Sequence, residues 1–173
     1  ILQSMEEQFQ TILQTVKPAV VEVIATREVR EAKLKRERKS PSLMTQTEPV
    51  HYQNIGSGIV IDSNGHIVTT GAVVGGTNHI EVAFADGQHQ PAKLVGLDRF
   101  TDIAVLRVQR GYPPETTIGD SDEIGAGSWV MTVACSYGNC STLSFGIVNG
   151  LEILPDYPFY EAIQINAAVK PGN

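Results

Sequence analysis

Between Gly56 and Val74 the chain alternates short β-branched runs with turn chemistry, and that pattern restricts the fold more than any other feature. Ile59, Val60 and Ile61 form one run. Asp62-Ser63-Asn64-Gly65 follows, and Asn-Gly is the strongest short-range hairpin signal. Ile67-Val68-Thr69-Thr70 returns, and the chain then enters a tight turn at Gly71-Ala72-Val73-Val74. The rhythm continues downstream. His79 to Phe84 alternates as a strand, Ala85-Asp86-Gly87-Gln88 turns, and Gln90 to Leu97 forms the next strand. Asp98-Arg99-Phe100-Thr101 turns the chain into Asp102 to Val108. Short strands with regularly spaced Gly, Asp and Asn turns predict an all-β barrel.

Upstream, Ile1, Met5, Phe9, Ile12, Leu13 and Val16 recur at helical spacing, which predicts a helix over 1–16 that caps the first barrel. Lys17-Pro18 ends it, and Ala19 to Ala25 reads as the first strand. The first barrel is expected over 17–110, with a long charged loop over 27–54 whose first half, Arg27 to Lys39, extends as a charged helix. Loops of this length inside a compact domain are usually functional or disordered. A Pro-containing linker at 111–117 leads to a second barrel over 118–173, with strands at Ser128–Ala134, Thr142–Val148 and Phe159–Ile165. Three strands leave that barrel incomplete, and Trp129, Val130, Phe145, Ile147 and Val148 are expected to face its half-core.

Charge narrows the function. Net charge is −6, while Arg27, Arg30, Lys33, Lys35, Arg36, Arg38 and Lys39 hold seven of the thirteen Lys and Arg residues. The remainder is acidic, so a nucleic-acid-binding body is excluded and the basic stretch reads as a solvated insertion or a docking arm for a partner. No run of 18 apolar residues is present and no signal peptide is visible at the start. The four histidines, His51, His66, His79 and His89, form no metal-ligand spacing, and no metal or cofactor is expected.

The order and spacing of four motifs resemble the HtrA (DegP-like) branch of the trypsin-fold serine proteases. They are Gly56-Ser57-Gly58 with its hairpin, Thr101-Asp102-Ile103-Ala104-Val105-Leu106, Gly119-Asp120-Ser121-Asp122 followed by Gly127-Ser128-Trp129-Val130, and Pro171-Gly172-Asn173. The resemblance covers about Val16 to Asn173 and implies a double β-barrel. In the family the central hairpin ends in Thr-Asn-x-His-Val-Val, where the His is the general base. The matching residue here is Ala72, whose methyl accepts no proton. Asp102 matches the triad Asp and is left with a structural task. Gly172 matches the glycine whose N–H points into the oxyanion hole. Asn166 and Lys170 stand where the family has Asp and Asn.

Cys135-Ser136-Tyr137-Gly138-Asn139-Cys140 replaces a Gly-Asn-Pro-Phe-Gly-like turn of the family. The favoured reading in an oxidising compartment is a Cys135–Cys140 disulfide, with two free thiols as the alternative.

Three functions follow from the resemblance. The first is a catalytically inactive protease homologue in the periplasm or cell envelope, serving as a binding or structural subunit of a larger assembly or homo-oligomer. The second is an active serine endopeptidase of protein quality control whose base was deliberately replaced by Ala72. The third is a metal-binding derivative of the same fold.

Overall fold

The computed structural model describes residues 2–36, 43–109, 116–136, 139–153 and 161–169. Helix α1 (Leu2–Val16) and a 3-10 turn (Lys17–Ala19) lead into strands β1 (Val20–Arg36) and β2 (Leu43–Val60). Strand β3 (His66–Thr70) is followed by the one-turn helix α2 (Gly71–Val74). Strands β4 (His79–Ala83), β5 (His89–Asp98) and β6 (Ile103–Val108) complete a closed barrel of order β1-β2-β3-β6-β5-β4. It closes because β4 pairs antiparallel with β1, through Glu22 opposite Ala83 to Thr26 opposite His79.

Alternation along these strands fills the interior. Val21, Val23 and Ala25 of β1 meet Ile67, Val82 and Leu106 from β3, β4 and β6 in one buried cluster. Closed pairing also leaves the barrel without free edges. Close approach explains one glycine of the central motif, because a Cβ on Gly56 would run into the Val73 side chain of α2.

The charged insertion is a β-ribbon, which corrects the expected loop and helix. Strands β1 and β2 pair without interruption from Val20 opposite Ile59 to Arg36 opposite Leu43. Composition suggested a solvated helix, but the backbone hydrogen bonds of 27–36 are met by 43–52 across the ladder. Arg27 and Arg30 lie on this ribbon. Arg38 and Lys39, and the side chains of Lys33, Lys35 and Arg36, lie outside the described residues.

The second unit is a three-stranded sheet, β7 (Trp129–Ser136), β8 (Asn139–Ile153) and β9 (Glu161–Ile165). Residues 111–115 of the expected linker lie outside the described residues. Helix α1 docks on this sheet, and its last residue, Val16, also packs against Val20 of β1. Phe9 stacks on Trp129 at 5.9 Å between ring centroids and meets Phe145 at 4.6 Å. The stripe Met5, Phe9, Leu13 and Val16 is half-buried, whereas Ile12, also counted in the apolar face, is exposed.

The five residues expected to share the half-core do not share one face. Trp129 pairs with Ile147 and Met131 with Phe145, so these four point the same way. Val130 lies opposite Gly146 on the other side, and Val148, next to Ile147 in sequence, also turns there and is buried. The pleat sends successive side chains to opposite faces, which a list of apolar residues does not register.

Candidate functional site

The site is assembled where β3 ends and β6 begins. Thr70 leaves β3 in an extended conformation and opens α2, whose turn is closed by the Gly75 N–H donating to the Gly71 C=O at 2.7 Å. On the other side, Asp98 shapes the approach to β6. Its Oδ1 accepts from the Phe100 N–H and its Oδ2 from the Thr101 hydroxyl, both at 2.9 Å. The Phe100 bond, then the Thr101 bond, hold its carboxyl below the usual range.

That turn delivers Asp102 in the left-handed region at φ 58°, the only non-glycine with positive φ among the described residues. Such a conformation costs about 1 kcal/mol and is most tolerable for Asp and Asn. It is held by a backbone bond, the Gly71 N–H donating to the Asp102 C=O at 2.7 Å. Gly71 is required here by proximity. A Cβ on it would lie 2.7 Å from Asp102 Oδ1 and 2.5 Å from Leu97 Cδ1. The Asp102 carboxylate therefore rests against the helical turn that carries Ala72.

Two open depressions flank Thr70. One, of about 400 Å³, has Ala72, Val73, Asn54, Gly56, Ser57 and Thr70 in its lining. The other, of about 390 Å³, includes Ser57, Thr70, Val68, Thr101, Asp102 and Ile103. The tertiary structure thus brings Ala72 and Asp102, 30 positions apart, to adjoining concavities that share Ser57 and Thr70.

No described histidine lies in either lining. His66 Nδ1 is 2.6 Å from Asp62 Oδ2, and His89 Nδ1 is 2.6 Å from Glu81 Oε1. His51 sits on the ribbon opposite Glu28, and His79 on β4 opposite Thr26. Among the described residues no group of three or more His, Cys, Asp or Glu could hold a metal ion, and no helix is long and apolar enough to cross a membrane.

On the second sheet, Asn166 tethers the segment that follows β9. Its Oδ1 accepts from the Ile147 N–H at 2.8 Å, and its own N–H donates to the Ile147 C=O at 3.2 Å. The Ala168 N–H then donates to the Ser144 hydroxyl at 2.8 Å. Lys170 and Gly172 lie outside the described residues. Cys135 is buried and disulfide-bonded, while the Cys140 side chain lies outside the described residues. Sequence reasoning missed the tethering roles of Ser57, Thr69 and Asn166, since a small polar residue carries no signal of the distant backbone it will meet.

The trypsin-like peptidase domain family matches residues 56–173. Among curated proteins, the chain is 36% identical over 122 residues to a probable periplasmic serine endoprotease DegP-like of Halomonas elongata, covering 70% of this chain and 26% of that one. It is 34% identical over 148 residues to the protein of the same description in Pseudomonas putida, covering 85% of this chain and 30% of the relative. The chain therefore spans about a quarter to a third of the length of these relatives. Among solved structures, the HtrA-type protease AlgW with decapeptide superposes with a TM-score of 0.75 at 27% identity, covering 95% of this chain and 53% of that one. The same protease with tripeptide gives 0.76 at 27% identity, covering 95% and 48%.

Proposed function

The chain belongs to the trypsin-like peptidase domain family, in its DegP/HtrA-like branch, and on that premise we propose that it is a catalytically inactive member acting as a protein- or peptide-binding subunit of a larger cell-envelope assembly. The observation that carries this reading is Ala72. It follows Gly71, the residue in contact with Asp102, on α2; by the order of the sequence motifs it matches the family's general base, and no described histidine lines either concavity. Without that base a hydroxyl nucleophile keeps its proton, and a carboxylate alone has no imidazolium to stabilise. Asp102 then serves to fix the turn through Gly71.

The concavities at Ala72 and Asp102 remain available for an extended peptide, in keeping with the peptide complexes of the AlgW structures. Periplasmic residence is proposed from the relatives' descriptions, and it suits a disulfide at Cys135, which we assign to the other cysteine of the sequence, Cys140. The β1–β2 ribbon, with Arg27 and Arg30, is the proposed second contact.

The test is an assay of the natural full-length protein against unfolded casein. Hydrolysis no faster than buffer is expected, with saturable binding of labelled peptide. Inhibitor-sensitive turnover by the unsubstituted protein would overturn this reading in favour of an active endopeptidase, the activity named for the relatives. Turnover that appears only with Ala72→His identifies the base as the missing part, since triad members act as a unit.

A further inference from the structure

At the ends of β3 and β6 remote from Thr70 and Asp102, Lys93 and Arg107 carry positive charge that no described group neutralises. His66 pairs in register with Arg107, and Arg107 with Lys93, so three basic residues stand in one row across β3, β6 and β5. Their sequence neighbours Ile67, Leu106 and Val108 point into the core, and Arg107 and Lys93 are exposed. Like charges directly opposite on a sheet repel. Neither Lys93 nor Arg107 has an ion-pair partner among the described residues. The carboxylate of the adjoining turn is occupied elsewhere. Asp62 Oδ1 accepts from the N–H groups of Asn64 and His66 at 2.9 and 3.0 Å, and its Oδ2 meets His66 Nδ1.

Lys93 and Arg107 open onto a depression of about 430 Å³ whose lining includes Asn64, Gln109, Leu94 and Val95. Two features shape it. The Val108 N–H donates to the Gly65 C=O at 3.1 Å, which sets the Asn64 turn beside β6. A bulge between Leu94 and Gly96 adds Val95 to the outer surface, where it is 58% exposed.

We propose that this depression binds the phosphate group of an amphiphilic molecule, with the phosphate between Lys93 and Arg107 and the apolar part against Leu94 and Val95. A phosphate fits the donor set better than a carboxylate. The Arg fork alone satisfies two carboxylate oxygens, whereas a phosphate has further oxygens and further charge for the Lys ammonium and the Asn64 and Gln109 amides. The space exceeds that of a phosphate, and the surplus is aliphatic. Binding at such an exposed site weakens as salt rises. The site lies about 13 Å along β3 from Thr70, and the inference does not depend on whether the protein hydrolyses peptides.

The experiment compares the natural full-length protein with its Lys93→Gln/Arg107→Gln variant. Removing exposed cations that repel should leave the unfolding midpoint in phosphate-free buffer unchanged or higher, which checks the fold. Inorganic phosphate is then added against chloride of equal ionic strength. It should raise the midpoint of the unsubstituted protein, as a ligand of the native state must, and leave the variant unmoved. Titration calorimetry should show binding weakened about tenfold or more by either single substitution. In a second arm, flotation with phosphatidylglycerol vesicles should capture the protein and not the variant, with phosphatidylcholine vesicles as control. A phosphate response without vesicle capture overturns the lipid-like ligand and assigns the site to soluble phosphate compounds. Equal responses of protein and variant, or none in either arm, overturn the site itself.

Discussion

The Ser57 hydroxyl clamps Cys135 across the two sheets, donating to the Cys135 C=O at 3.1 Å and accepting from the Cys135 N–H at 3.0 Å. Ser57 is itself fixed to β3, because the Thr69 hydroxyl donates to the Ser57 C=O at 2.8 Å. One small side chain thus joins the barrel strand bordering Ala72 to β7 of the second sheet. Replacing it by Ala strands two part-buried backbone groups. Ser57→Ala should destabilise the protein by about 1–3 kcal/mol, read as a lower midpoint in denaturant. An unchanged midpoint would show that the clamp contributes nothing.

The contact between Gly71 and Asp102 makes a contrast between neighbouring substitutions. Gly71→Ala pushes a methyl onto Asp102 Oδ1 and Leu97, which should cost about 1–3 kcal/mol by overpacking. Ala72 is exposed, so Ala72→His should change stability by less than about 0.5 kcal/mol. Equilibrium unfolding of both variants checks the pair.

Asp62 gives a pH signature. Its side-chain bond to His66, followed by the His66 backbone N–H, lowers its pKa from 3.8 to about 2. A carboxylate depressed in the folded state adds stability that is fully present above its unfolded pKa. The contribution should fade as pH falls from near 3.8 through about 2. Asp62→Asn should flatten the stability profile in that window, as measured by denaturant midpoints across acidic pH.

Helix α1 can be followed through the one tryptophan of the chain. Trp129 is 56% exposed and meets Phe9 and, at 5.1 Å between ring centroids, Phe145. Phe9→Ala removes two ring contacts of a type worth about 0.5–1.5 kcal/mol each. Trp129 emission should shift to the red and the unfolding midpoint should fall. Unaltered emission would place the helix elsewhere in solution.

The sequence by itself determined the local elements and the chemical gap. Asp62-Ser63-Asn64-Gly65 forms its turn between β2 and β3 because an Asp side chain and a glycine at φ 80° build one from local atoms. The stripe from Met5 to Val16 is helical because a 3.6-residue period is a property of the segment alone. The alanine at position 72 is likewise read directly, as is the distance in sequence between it and Asp102. What tertiary structure decided were the relations between segments. Arg27 to Arg36 is strand because 43–52 supplies its hydrogen-bond partners, a pairing that overrides the charged composition. The partner of α1, the closure of β1 on β4, the clamp of Ser57 on Cys135 and the row of Lys93 beside Arg107 all join residues distant in sequence. Periodicity states which side of an element is apolar or polar, and only the assembled chain states what that side will meet.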